Sequence, residues 1–102
     1  GRLVADFADT LGRQTTALAF RDTRSRWGSC TSAGRIMLSW RLVMAPPDVQ
    51  AYVAAHEVAH LAEMNHSSAF WRTVRRLYGD YDPPRRWLHD HGIDLHRYKF
   101  RV

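Results

Sequence analysis

Cys30 is the only cysteine in 102 residues, so no disulfide can form within the chain. That usage favours a reducing compartment, and a cytoplasmic location is the expectation. No apolar run approaches the ~20 residues that a membrane-spanning helix needs. Lysine is almost absent: Lys99 is the only one, and arginine carries nearly all of the net charge of +5. Repeats and low-complexity tracts are lacking, as is a linker long enough to split the chain. The expectation is therefore one small domain over residues 1–102 with one core. The chain begins with Gly1 rather than Met, which reads as a portion excised from a longer protein.

What remains is a globular balance, with 45% hydrophobic and 25% charged residues, which excludes a disordered chain. The arginines cluster at Arg21, Arg24 and Arg26, at Arg72, Arg75 and Arg76, and at Arg85 and Arg86. Such a surface either keeps the domain dissolved or touches nucleic acid or another acidic partner. No nucleic-acid motif accompanies it.

The elements read as α+β. Leu3, Val4, Phe7 and Leu11 recur at helical spacing, and Gly12 can end that helix. Residues 16–22 read as a short strand. Residues 24–34 are rich in turn formers. Arg35 to Leu42 alternates, with Ile36, Leu38, Trp40 and Leu42 on one face, as a half-buried strand does. The two strands suggest an antiparallel hairpin. Pro46 and Pro47 stop the second strand, and Asp48 can cap a helix from about Val49 to about Ala62. That helix is apolar on nearly all sides, so it is a buried one. A break follows at Met64 to Ser68. Ser67 or Ser68 can cap a further helix, about Ala69 to Tyr78, which ends at Gly79. Phe70, Val74 and Leu77 form its core stripe. A turn at Asp82-Pro83-Pro84 precedes a short helix from Arg85 to His91.

The buried helix carries His56-Glu57-Val58-Ala59-His60, the pattern H-E-x-x-H. Two histidines four apart on a helix lie on nearly one face and can reach one metal ion. Glu57 is then placed to hold a water on that ion, a set suited to zinc hydrolysis. Polar groups inside a core helix need partners, and metal ligation supplies them.

A catalytic zinc site usually takes three protein ligands. On a continuous helix, His66 would be rotated about 120° from His60 and shifted about 9 Å. The helix must therefore end between them, with Asn65 a candidate left-handed residue. Glu63 competes for the third place if the helix continues. The break signals favour His66. His89, His91 and His96 read as surface residues. The spacing also matches that of metzincin peptidases, but Glu63 stands at their glycine and no Met follows His66.

With these residues assembled, the chain closely resembles the YgjP-like metallopeptidase domain family. The stretches that carry the likeness are Ser25-Arg26-Trp27-Gly28-Ser29-Cys30, Trp40 to Pro47, His56 to Leu61, Asn65-His66-Ser67, Phe70-Trp71 and Arg86-Trp87-Leu88. The resemblance implies a small zincin fold, akin to SprT-type and other minimal metallopeptidases. It implies Zn2+ on His56, His60 and His66, Glu57 as base, and a shortened N-terminal portion.

The leading expectation is hydrolysis of a peptide or protein substrate. The strand near Ile36 to Trp40 could add an extended peptide if it lies at a sheet edge. Tyr78, His89, Tyr98 and the arginines are candidate oxyanion donors. Two rivals stand beside it. One is a zinc hydrolase of phosphates or nucleotides. The other is a nucleic-acid-binding module whose structural zinc takes Cys30 as fourth ligand.

Overall fold

A computed structural model describes residues 2–21 and 27–96. Asp22, Arg24 and Arg26, Ser25 of the motif preceding Trp27, and residues 97–102 with Tyr98 lie outside the described residues, as do the side chains of His91 and His96. Four helices and three strands follow in the order α1 (Arg2–Leu11), β1 (Ala17–Arg21), β2 (Gly28–Cys30), β3 (Arg35–Ser39), α2 (Pro47–Ala59), α3 (Ser68–Tyr78) and α4 (Asp82–His96). The architecture is α+β. Among the described residues, no helix is long and apolar enough to cross a membrane.

α2 is the axis of the domain. Val49 and every residue from Tyr52 to Ala59 are buried, and α2 packs against α1, α3, α4 and β2. The apolar run around this helix has no polar face to offer water, so its neighbours must cover it on all sides. Val4 and Ala8 of α1, Phe70 and Val74 of α3, Leu88 of α4 and Ile36 and Leu38 of β3 close that shell.

The sheet corrects the expected hairpin. β1 and β3 are parallel, paired from Ala17↔Arg35 to Arg21↔Ser39. β2 supplies the antiparallel partner of β3, from Gly28↔Leu38 to Cys30↔Ile36. The order is β1-β3-β2, so β3 is central. Parallel neighbours cannot be joined by a tight hairpin turn. Periodicity had fixed which face of each segment is apolar, but it carries no information on which way a partner runs.

The second strand is also shorter than its alternation suggests. It stops at Ser39, whose Oγ accepts a hydrogen bond from the Arg41 N–H, and a 3₁₀ turn takes over at Trp40–Met44. Leu42 is buried from that turn, whereas Trp40 stands 45% exposed instead of joining the core face.

Helix boundaries shift for local reasons. α2 starts at Pro47 with Pro46 as its cap, so Asp48 lies inside the first turn and makes no capping bond. Proline suits that position because its missing N–H would be unpaired there anyway. Asp48 still sits favourably near the positive end of the helix. The same logic admits Pro83 and Pro84 into the first turn of α4, which begins at Asp82 rather than Arg85 and runs through residue 96. α3 follows its expected bounds, with Ser67 as cap and Gly79, at φ 105°, ending it.

Candidate metal and catalytic site

The critical local event is the end of α2. The helix stops at Ala59, and His60 already belongs to the turn, five residues before Asn65. The His60, Leu61 and Ala62 N–H groups donate three residues back, to Glu57, Val58 and Ala59 carbonyls at 3.2, 2.9 and 3.1 Å. This tighter winding ends the helix and turns the chain away. α3 then starts at Ser68, where the Ser67 Oγ accepts from the Phe70 N–H at 3.3 Å. His66 is thus held between a closed helix end and a capped helix start.

The result brings the three histidines together. One ring nitrogen from each of His56, His60 and His66 lies within 4.8 Å of the others. Their ring centroids are 5.1 Å (His56–His60), 5.3 Å (His56–His66) and 4.8 Å (His60–His66) apart. Phe70 lies against all three: it stacks on His60 at 4.4 Å and meets His56 and His66 edge-on, each at 4.9 Å. His56 and His60 are buried, and His66 is exposed. Glu63 does not join this group. Its backbone carbonyl lies 2.9 Å from His60 Nδ1. A bond donated there by Nδ1–H keeps the proton on Nδ1 and leaves the Nε2 lone pair free for a metal.

The donor set fits a metal ion on independent grounds. Among the described residues, neither buried ring nitrogen of His56 has a hydrogen-bond partner. Its Nδ1 lies 3.3 Å from Glu57 Oε2, close but without hydrogen-bond geometry. A buried imidazole with nothing to bond is costly unless something else takes its lone pair. The His60 pKa is lowered from 6.5, chiefly by burial, against the opposing pull of the Glu63 carbonyl. The His66 pKa is lowered first by burial and then by the neighbouring His56 and His60. Neutral imidazoles are what a metal requires.

The histidines face a cleft of about 180 Å³, lined also by Glu57, Met64, Gly28, Ser29 and Cys30. β2 therefore forms one wall, a contribution that the sequence hid among turn formers. The clue was the absence of a side chain at Gly28. A Cβ there would come within 2.9 Å of Glu57 Cγ, so the strand and the carboxylate can sit together only over a glycine. Cys30 lines the cleft but is not among the converging ligands. Burial, and secondarily the charge of Glu57, push its thiol up to about 11, and its Sγ contacts the Thr31 carbonyl at 3.5 Å.

Of the expected oxyanion donors, Tyr78 lies outside the cleft lining. His89 is on the surface beside Asp90 at 3.3 Å. Among the described residues, no arginine lines the cleft either; Arg72, Arg75 and Arg85 line a neighbouring concavity.

Comparison with known proteins decides the family. The YgjP-like metallopeptidase domain model matches residues 1–91. The chain belongs to the YgjP-like family. As a YgjP-like metallopeptidase domain it is expected to use a divalent metal, and the three converging histidines can hold one. No curated protein matches the chain. Among solved structures, it is similar to the zymogen of abylysin, a metallopeptidase of Pyrococcus abyssi, with a TM-score of 0.75 at 22% identity. That match covers 98% of this chain and 97% of the other. At that identity the likeness establishes the shared fold.

Proposed function

We propose that the chain is a zinc-dependent peptidase, with His56, His60 and His66 holding the ion and Glu57 acting as general base. The observation that carries this reading is the convergence of three imidazoles within 4.8 Å beside a buried carboxylate, in a cleft with one exposed side. Zinc when bound supplies Lewis acidity, polarising a carbonyl and bringing the pKa of a water to about 7. Imidazole donors suit zinc, though nickel and copper accept them too.

The chain's own residues do the rest. Glu57 Oε2 stands 3.3 Å from His56 Nδ1, on the cleft side of α2. From there its carboxylate takes a proton from water and later gives it to the leaving amine. The Glu63 carbonyl holds the His60 ring in register. The exposed face of His66 leaves room for water and substrate.

The peptide binds along β2 rather than along the strand near Ile36 to Trp40. β3 is central and has both edges occupied, whereas β2 has a strand neighbour on one side only among the described residues. In an antiparallel pair, bonded and non-bonded positions alternate. Ser39 N–H donates to the Trp27 carbonyl and Thr31 N–H to the Arg35 carbonyl. With this register, Gly28 and Cys30 turn their backbone groups to the free edge, where an extended peptide adds as a further strand.

The test is Glu57→Gln, with a casein-like peptide library and a nucleotide panel as substrates. The variant keeps its zinc and loses peptide cleavage by a factor on the order of 10²–10⁴. A fully active variant removes Glu57 from the mechanism. Glu57-dependent cleavage of nucleotides, without peptide cleavage, reassigns the substrate.

A further inference from the structure

Next to the histidine cleft, between α3 and the start of α4, lies a concavity of about 340 Å³. Ser68, Trp71, Arg72, Arg75, Tyr81 and Arg85 line it. Three guanidinium groups, two aromatic rings and two hydroxyls share this space, with no carboxylate among them. None of the three arginines is in an ion pair among the described residues. Asp80 and Asp82 flank Tyr81 in sequence but do not line the space, and Asp80 Oδ1 accepts the Asp82 backbone N–H at 3.3 Å.

Two of the guanidiniums are positioned by aromatic rings. Arg85 Cζ lies 4.7 Å over the Trp71 ring, and Arg75 Cζ lies 5.4 Å over the Tyr81 ring. Trp71 and Tyr81 are themselves 5.1 Å apart. An aromatic face orients a guanidinium by stacking and leaves its N–H edge free to donate. Arginine held this way is a fork preset for a planar carboxylate, to which it can give two parallel hydrogen bonds.

One side chain, Trp71, stands between the concavity and the histidines. The Trp71 ring is 5.7 Å from the His56 ring and 6.1 Å from the His66 ring. From His66 across the indole to Arg85 is therefore two short steps. An extended peptide advances about 3.3–3.6 Å per residue, so the arginines are reached two or three residues from the bond at the histidines.

We propose that this concavity is an acidic-residue subsite, which receives the side-chain carboxylate of a Glu or Asp two or three residues from the scissile bond. The proposal rests on the peptidase reading above. Arg75 and Arg85 bind the carboxylate, Arg72 adds positive potential, and Trp71 divides the subsite from the metal cleft. The three arginines line one concavity, which favours a single carboxylate over an extended nucleic-acid backbone.

The test uses paired fluorogenic peptides that differ only as Glu or Gln at one position, scanned over three residues on either side of the cleaved bond. The zinc-loaded protein is compared with Arg75→Gln/Arg85→Gln, whose fold is checked by circular dichroism. At one position the Glu peptide is expected to give about tenfold higher kcat/KM than its Gln partner. The double variant reduces that ratio to about one. A second arm measures binding of the same labelled peptides to the zinc-loaded Glu57→Gln protein by anisotropy. It expects the same preference, lost in the arginine variant. Absence of cleavage in every peptide defeats the peptidase reading while the binding arm still decides the subsite. Equal Glu and Gln binding, or a preference that survives Arg75→Gln/Arg85→Gln, overturns the subsite. Arginine-dependent binding of a single-stranded oligonucleotide, tighter than that of any peptide, overturns it in favour of nucleic acid.

Discussion

Gly28 and Glu57 share one small space. A Cβ on Gly28 would lie 2.9 Å from Glu57 Cγ and 3.0 Å from its Oε2, and 3.1 Å from the Met37 carbonyl oxygen. The glycine is needed for close approach, since it sits in an extended strand and not in a left-handed turn. Gly28→Ala is therefore expected to push the carboxylate aside while leaving the three histidines in place. Zinc content stays near one per chain, and kcat falls at least about tenfold, since misplacement of a proton-transferring group by an ångström carries such a penalty. Metal analysis alongside peptide kinetics checks this, and full activity with intact zinc would contradict it.

Ser67 acts on the metal site through the backbone. Its Oγ accepts the Phe70 N–H at 3.3 Å and caps α3 from the position next to His66. Ser67→Ala should cost about 1 kcal/mol, as loss of a helix cap typically does, and lower Tm by roughly 4–8 °C. Because the cap also fixes His66, zinc affinity should drop as well, and Ser67→Asp should restore both. Thermal melts of the metal-free protein and a chelator competition measure the two effects. An unchanged Tm in Ser67→Ala would mean that the cap bond contributes nothing.

The legible part of this protein is the part written in short-range pattern. His56, Glu57 and His60 were visible because a helix brings residues four apart onto one face. His66 followed because the break after His60 was signalled by Asn65, Ser67 and Ser68, although the winding tightened five residues sooner than Asn65 suggested. β2 was invisible: three residues, Gly28–Cys30, are too few to show a period of two, and their neighbours are turn formers. The parallel pairing of β1 with β3 was hidden for a different reason. Alternation reports a buried face and is the same whichever way the partner strand runs. Trp40 misled because its place in the alternation continued past the point where Ser39 ends the strand. The role of the Glu63 carbonyl belongs to no side chain, so no residue type advertises it.

Acid should destabilise the metal-free protein. His60 and His66 both have pKa values below the usual 6.5, each chiefly because burial disfavours the charged ring. As pH falls, the unfolded chain takes up these protons first. The stability contributed by the neutral rings is fully present above about 6.5 and is lost as pH drops through that value toward the lower folded-state values. Tm of the metal-free protein should therefore decline between pH 7 and pH 5, and the decline should be shallower in His60→Asn/His66→Asn. Melts at half-unit pH steps test this. Equal slopes in the two proteins would assign acid sensitivity to other groups.

Cys30 supplies the sharpest check on how many protein ligands the ion has. Its thiol lines the cleft, yet burial and then the Glu57 charge push its pKa from the usual 9.0 up to about 11. Near pH 8 that shift leaves roughly a hundredfold less thiolate than an ordinary cysteine has, and thiolate is the species that alkylates or binds metal. Iodoacetamide should accordingly modify the folded metal-free protein about two orders of magnitude more slowly than the denatured chain. Glu57→Gln should speed the folded-state reaction, because the carboxylate charge is the second cause of the shift. A fourth thiolate ligand would reverse these expectations, since coordination holds the sulfur deprotonated. Cys30→Ser then discriminates directly. With three histidine ligands the substitution leaves zinc affinity within about twofold, whereas removal of a true thiolate ligand would weaken it by orders of magnitude. Competition with a chelator of known affinity reads that difference, and a large loss would make the site a closed one with no position for water.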